Sequence, residues 1–200
     1  KKENPFPIVA IGASAGGLEA MSELLKNLSV TTGMAYIYVQ HLSPDHKSYL
    51  TSILSKVTKM KVQEIDNMEL IKPNNVYVIP PNAGIKVTDG HIKLFPRSKG
   101  ASAISIDVLF SSLALTHQSN VIGIILSGYA SDGIVGLRAI KEAGGITFAQ
   151  DDSAQASSMP KSAIASGVVD YVLSPKQIAQ ELSLISKNGT LKNITKTKKE

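Results

Sequence analysis

Continuous apolar runs of six or seven residues recur along the chain, and helical spacing of apolar positions separates several of them. Continuous rather than alternating apolarity is typical of strands buried on both faces, as in a parallel sheet. The predicted strands lie at residues 6–12, 34–40, 75–80, 121–126, 145–150 and 168–173. The predicted helices lie at 16–28, 48–58, 105–117, 133–143 and 175–187. This alternation predicts an α/β fold with a doubly wound, mostly parallel sheet and helices on both faces.

Residues 85–95 depart from this pattern, because IKVTDGHIKLF consists of two short alternating runs around Asp89 and Gly90. An Asp-Gly pair favours a tight hairpin turn, so we expect a small antiparallel β-hairpin here. One domain is predicted over residues 1–185, and residues 186–200 are predicted to form a basic linker or tail leading to a downstream domain.

Composition and charge narrow the classes of function. The 200 residues are 43% hydrophobic and 18% charged, with no cysteine and no apolar stretch long enough to span a bilayer. We therefore expect a soluble cytoplasmic domain without membrane insertion. Of the net charge of +5, +4 lies in residues 187–200, which hold five lysines and one glutamate. The body is nearly neutral, which argues against nucleic acid as a partner.

Three residues with catalytic chemistry follow the ends of predicted strands. Ser14, His41 and Asp132 come from distant parts of the chain, but the carboxyl ends of parallel strands share one edge of a sheet. A serine nucleophile needs a base, for which histidine is suited near neutral pH, and a carboxylate that orients the imidazole. The three side chains supply one group of each kind.

The turn from Gly12 to Gly16 reads G-x-S-x-G, in which small residues allow a sharp strand-to-helix turn that exposes the Ser14 hydroxyl. Simpler interpretations remain open: Ser14 as a helix cap, Asp132 as a cap of helix 133–143, and His41 as a solvated loop residue. A phosphate-binding turn is a weaker alternative, since the Walker lysine is absent. His41 and His46 have no metal-ligand spacing, and we predict neither a metal site nor a cofactor.

Several motifs, in this order and at these distances, resemble one known family. They are IGASAGGLEA, VQHLSPDHKS, VYVIPP, LSGYASDGIVGLRAIKEAGG and MPKSAIASGVVDYVL. Together they resemble the protein-glutamate methylesterase catalytic domain of bacterial chemotaxis, the CheB family, from about residue 6 to about residue 180. The sequences of the first two motifs are most similar to the methylesterase segment of methylesterase/methyltransferase fusion proteins. A downstream methyltransferase domain is therefore a candidate partner.

The resemblance implies hydrolysis of glutamate γ-methyl esters on the cytoplasmic helices of chemoreceptors, with release of methanol and, in some members, deamidation of glutamine. It implies Ser14 as nucleophile, His41 as general base and Asp132 as the orienting carboxylate. Ala15 and Tyr129 fall at positions near the oxyanion and the cleft, and no cofactor is implied. Methylated chemoreceptors or receptor-like proteins are the implied partners.

Two segments depart from the family pattern. Ala15 stands where threonine is frequent, and Gly128-Tyr129-Ala130 replaces a glycine, small or methionine, glycine sequence. If Ala130 adopts positive φ, its Cβ costs roughly 1 kcal/mol or more and could displace the oxyanion donor. These departures motivate an alternative, a non-catalytic sensory or scaffolding domain of the same fold that binds a receptor or a partner domain.

Overall fold

Seven parallel strands form the central sheet of the computed structural model, which describes residues 6–40, 49–81, 83–96 and 106–188. With strands numbered in chain order, they are β1 Ile8–Ala13, β2 Ala35–Gln40, β3 Lys61–Glu64, β5 Asn75–Val78, β8 Val121–Ile125, β9 Ile146–Gln150 and β10 Tyr171–Leu173. Their order across the sheet is β10-β9-β8-β1-β2-β5-β3. The predicted parallel sheet is confirmed.

The direction of winding reverses next to β1. The chain builds β2, β3 and β5 on one side of β1, then returns to add β8, β9 and β10 on the other side. In open α/β sheets, ligands bind at the carboxyl ends of the strands where the order reverses. That point lies between β1 and β8, whose carboxyl ends lead into Ser14 and Ser127.

Helices cover both faces of the sheet, as predicted. Buried side chains of β1 alternate between them, with Val9 and Ile11 in one core and Ile8 and Ala10 in the other. The first core is closed by α1 Gly17–Lys26, α2 Leu50–Ser55 and α6 Pro175–Lys187. The second is closed by α3 Ile106–His117, α4 Ile134–Glu142 and α5 Ser158–Ala165. A single 3-10 turn, Gln118–Asn120, joins α3 to β8.

A small antiparallel sheet packs on the second core. It contains β4 Glu69–Leu70, β6 Ala83–Thr88 and β7 His91–Pro96 in the order β4-β7-β6. Asp89 and Gly90 both have positive φ, 50° and 74°, which is the backbone geometry of a type I′ hairpin turn. The predicted hairpin is therefore confirmed, and β4 adds a strand that the sequence pattern did not predict.

At the carboxyl terminus of the described chain, α6 begins with a capping box in which Ser174 and Gln177 exchange hydrogen bonds, with Pro175 in the first turn. The helix ends at Lys187, and residues 189–200 of the predicted tail lie outside the described residues. Across the part of the chain that the structure describes, no helix has both the length and the apolarity needed to cross a bilayer.

Candidate active site

Ser14 lies in the turn between β1 and α1, and glycines make that turn sterically feasible. A Cβ on Gly12 would lie 2.7 Å from the Ile106 side chain, and one on Gly17 would lie 2.5 Å from the Ala13 Cβ. Gly16 has φ 75°, a left-handed conformation that glycine adopts without steric cost. The glycines that the sequence predicted would permit a sharp turn therefore lie where a larger side chain would clash with its neighbours.

The Ser14 hydroxyl is directed toward the loop after β8 and does not cap α1. The N-cap of α1 is Gly16, with no side-chain hydrogen bond, and Ser14 contributes only its carbonyl, which accepts from the Gly17 N–H at 2.9 Å. Its Oγ accepts a hydrogen bond from the Tyr129 N–H at 2.8 Å, and the residue is 9% exposed. The helix-cap interpretation of Ser14 is wrong, and the hydroxyl hydrogen is not used in the contact with Tyr129.

The loop that supplies this N–H is held close to the nucleophile candidate. A Cβ on Gly128 would lie 2.5 Å from the Ser14 Oγ and 2.9 Å from the Ser14 nitrogen. Ala130 has φ 75°, so the left-handed conformation considered from the sequence is present at a residue with a Cβ. The Tyr129 N–H nevertheless reaches Ser14, while the Tyr129 side chain is 66% exposed.

Asp132 follows the same loop and caps a helix that is distant in sequence. Its Oδ2 accepts from the Ile106 N–H at 2.7 Å and its Oδ1 accepts from the Asp107 N–H at 3.1 Å. A carboxylate on the first N–H groups of a helix is stabilised by them and by the helix dipole. The alternative that Asp132 caps helix 133–143 is wrong, because α4 is capped by Gly133 without a side-chain hydrogen bond.

A second carboxyl group lies beside Asp132. Burial raises the pKa of Asp107, and the neighbouring charge of Asp132 raises it further, against the hydrogen bond from the Gly136 N–H, which lowers it. That N–H donates to the Asp107 Oδ1 at 2.7 Å. The start of α3 is thus joined to both Asp132 and the first turn of α4.

The predicted base, His41, lies outside the described residues. The nearest described position is Gln40, the last residue of β2, which is the register partner of Ala13 in β1. Ser14 is the next residue after Ala13 and His41 is the next after Gln40. The assembly of Ser14, His41 and Asp132 into a triad therefore stays a prediction.

Two buried polar residues of this region were not predicted from the sequence. Ser127 is fully buried at the end of β8, and Gln150, 4% exposed, ends β9. Both directly follow or end apolar runs at the carboxyl edge of the sheet, the same signal that identified Ser14. Among the described residues, no three or more histidine, cysteine, aspartate or glutamate side chains are grouped so that they could hold a metal ion.

Comparison with known proteins assigns this chain to a family. The sequence profile described as CheB methylesterase matches residues 9–182, which is most of the chain. The chain belongs to the CheB methylesterase family. The predicted resemblance is confirmed, and so is the predicted class of enzyme, a carboxylic ester hydrolase.

Curated relatives of the CheB methylesterase family match at full and at half length. A Leptospira interrogans protein, provisionally named as a protein-glutamate methylesterase/protein-glutamine glutaminase, is 38% identical over 189 residues, with 92% of this chain and 97% of that protein covered. The protein-glutamate methylesterase/protein-glutamine glutaminase of Photorhabdus laumondii is 36% identical over 172 residues. That match covers 83% of this chain but 49% of the relative, so the chain spans about half of that longer protein.

A solved structure of the same family has the same fold. The crystal structure of the Thermotoga maritima CheB methylesterase catalytic domain superimposes with a TM-score of 0.83 and 30% sequence identity. The alignment covers 90% of this chain and 98% of that one. The observed sheet order and the small antiparallel sheet are therefore those of a CheB methylesterase catalytic domain.

Proposed function

We propose that this chain hydrolyses glutamate γ-methyl esters on chemoreceptors or receptor-like proteins through Ser14, His41 and Asp132. The observation that carries the proposal is the hydrogen bond from the Tyr129 N–H to the Ser14 Oγ, 2.8 Å long, at the reversal point of the sheet. It orients a nearly buried serine hydroxyl at the edge where ligands bind in this class of fold. The names of the relatives point to the same chemistry.

In the proposed reaction, the Ser14 Oγ attacks the γ-carbonyl carbon of the ester while His41 removes the hydroxyl proton. The tetrahedral intermediate collapses when the C–O bond to the methoxy group breaks, and methanol leaves with the proton from His41. Water, deprotonated by His41, then attacks the acyl carbon. The bond to the Ser14 Oγ breaks, and His41 returns the proton to that oxygen, which frees the glutamate and restores the Ser14 hydroxyl. Glutamine deamidation would follow the same steps with ammonia as the leaving group.

Asp132 is proposed to orient His41 and stabilise its charged form. Both of its oxygens accept N–H groups from α3, which holds the carboxylate in one orientation. The Tyr129 N–H, with Ala15 on the other side of the nucleophile, is proposed to stabilise the oxyanion. No step of this mechanism requires a metal or a cofactor.

The loop departure that motivated the scaffolding alternative leaves the donor in place. Ala130 carries the strain of a positive φ, yet the Tyr129 N–H still donates to Ser14. This favours catalysis over a purely binding role for the same fold. The proposed substrate implies that the domain acts in the cytoplasm. The basic segment predicted at 186–200, whose first two residues belong to α6, is proposed to lead to a further domain, for which a methyltransferase is the candidate.

The proposal is tested by methanol release from methylated receptor membranes. We expect release by the unaltered protein and a loss of several powers of ten for Ser14→Ala, because removing a nucleophile costs about 10⁴-fold or more. Ser29→Ala is the matched control, an exposed serine in the connection between α1 and β2, at the opposite edge of the sheet. It should retain full activity.

Less than a tenfold loss in Ser14→Ala would contradict the role of Ser14. No release from the unaltered, folded protein, together with no reaction of Ser14 with a fluorophosphonate, would favour the scaffolding alternative. Stoichiometric labelling of Ser14 without methanol release would leave the serine hydrolase intact and refute the substrate.

A further inference from the structure

Ser127 occupies a central position beneath the proposed nucleophile. It lies two residues after the end of β8 and is 0% exposed. Its hydroxyl donates to the Ala15 carbonyl at 2.7 Å and accepts from the Ala156 N–H at 2.9 Å. Buried hydroxyl groups with both a donor and an acceptor partner hold those partners at fixed separation. The side chain therefore connects the turn that carries Ser14 to the loop before α5.

The backbone of Ser127 extends the same network to the neighbouring strands. Its carbonyl accepts from the Ser14 N–H at 3.0 Å, and its N–H donates to the Gln150 Oε1 at 2.9 Å. The Gln150 Nε2 in turn donates to the Ser153 Oγ at 3.1 Å. The carboxyl ends of β1, β8 and β9, three adjacent strands, are thus joined through one residue.

The loop that bears Tyr129 is fixed from the same side. The Gly128 N–H donates to the Ala156 carbonyl at 2.9 Å, and the Gly128 carbonyl accepts from the Met159 N–H at 3.0 Å. Ala156 therefore contacts both Ser127 and the residue that precedes Tyr129. A displacement of the Ala156 loop would move the Tyr129 N–H relative to the Ser14 hydroxyl.

We propose that Ser127 is a positioning residue, whose hydroxyl sets the relative placement of the Ser14 Oγ and the Tyr129 N–H by tying the Ala15 carbonyl to the Ala156 N–H. The inference rests on the proposed role of Ser14 as a nucleophile. Ser127 itself does not touch the ester, because it is buried beneath the turn. Its loss should slow the chemical step and leave the affinity for small esters and ester analogues unchanged.

Thr147 provides a matched control for Ser127. It is also 0% exposed, and its hydroxyl donates to the Val168 carbonyl at 2.7 Å and accepts from the Asp170 N–H at 3.0 Å. It lies near the amino end of β9, about 10 Å along the strand from Gln150. Thr147→Val therefore removes an equivalent buried pair of hydrogen bonds at the edge of the sheet away from Ser14.

The experiment measures labelling of Ser14 by a fluorophosphonate over a range of probe concentrations, below the Tm of every variant. This separates the maximal labelling rate, kinact, from the half-saturating concentration, KI. We expect Ser127→Ala to lower kinact about tenfold or more with KI unchanged, since small misplacements of reacting groups have effects of this size. Thr147→Val should lower the Tm by a similar amount and leave kinact unchanged.

A kinact equal to that of the unaltered protein in Ser127→Ala would overturn the inference, and so would an equal fall in Thr147→Val. If Ser127→Ala does not fold, Ser127→Cys takes its place, because a thiol fills the space of the hydroxyl but is only a weak donor and a weak acceptor. A fall in kinact for that variant supports the inference, and no change refutes it. An unaltered protein in which Ser14 is not labelled overturns the proposed nucleophile as well, which distinguishes the two failures.

Discussion

Ala130 is the residue of the Ser14 site whose backbone conformation conflicts most directly with its side chain. Its φ is 75°, in the left-handed region, and its side chain is exposed. For an L-residue with a Cβ, this conformation costs about 1–2 kcal/mol relative to the right-handed one. Glycine adopts either hand about equally well, so Ala130→Gly should remove the strain.

The net gain in the free energy of unfolding is smaller than the strain energy that is removed, because glycine also gives the unfolded chain more conformational freedom. That entropic effect opposes folding by about 0.4–1 kcal/mol. Burial of the Ala130 Cβ contributes little, since the residue is exposed. We therefore expect Ala130→Gly to raise the free energy of unfolding by about 0.5–1 kcal/mol, which for a chain of this size corresponds to an increase in Tm of about 1–4 °C.

Thermal unfolding followed by circular dichroism or calorimetry measures the shift. Ala165→Gly is the matched control, because Ala165 is also exposed but lies in α5, where the backbone is right-handed. There the same substitution should lower the free energy of unfolding by about 0.5–1 kcal/mol. Equal losses of Tm in Ala130→Gly and Ala165→Gly would refute the argument from backbone strain.

Two further predictions concern the carboxyl pair at the start of α3. Asp132→Asn keeps an acceptor for α3 but loses the charge. We therefore expect a small loss of Tm and a loss of methanol release of about 10⁴-fold. A lower Tm with less than tenfold lower activity would make Asp132 only a helix cap. Burial and then the Asp132 charge raise the pKa of Asp107 above that of the unfolded chain. Protonated Asp107 therefore adds to the free energy of unfolding at low pH, and this stabilisation is lost as pH rises through the folded pKa. Asp107→Asn, whose Oδ1 still accepts from Gly136, should be more stable than the unaltered protein at neutral pH and no more stable at about pH 3. A difference in Tm that is the same at both pH values would contradict this assignment.

The elements that sequence predicted well are those whose burial is nearly complete. Every residue of β1, β8 and β9 is buried, which produces the continuous apolar runs from which they were predicted. By contrast, β3 lies at the edge of the sheet, and KVQE shows no fully buried residue. Helix α5 was missed because its eight residues include a proline and bury only Met159, Pro160 and Ala163.

The site was predictable to the extent that it depends on side chains at strand ends. Ser14 and Asp132 were singled out in this way, but the partners of Asp132 were not. The Ile106 and Asp107 N–H groups are 25 or more residues away and reach Asp132 only because α3 packs against α4. A place for Tyr129 near the oxyanion was expected only from family resemblance, and its hydrogen bond to Ser14 was not predicted. This hydrogen bond is made by a backbone N–H, which every residue except proline has, so the residue type does not reveal it.

Because Tyr129 contacts Ser14 through its backbone and not its side chain, the loop at 128–130 tolerates its departure from the family pattern. The Ser14 hydroxyl is oriented by the amide of Tyr129, whereas the Tyr129 side chain is 66% exposed. The proposed chemistry therefore constrains the backbone path and the small size of Gly128, where a Cβ would lie 2.5 Å from the Ser14 Oγ, more than it constrains the aromatic ring. The ring is then available to contact what binds over the cleft, so Tyr129 should influence which substrate is accepted more than whether the serine reacts.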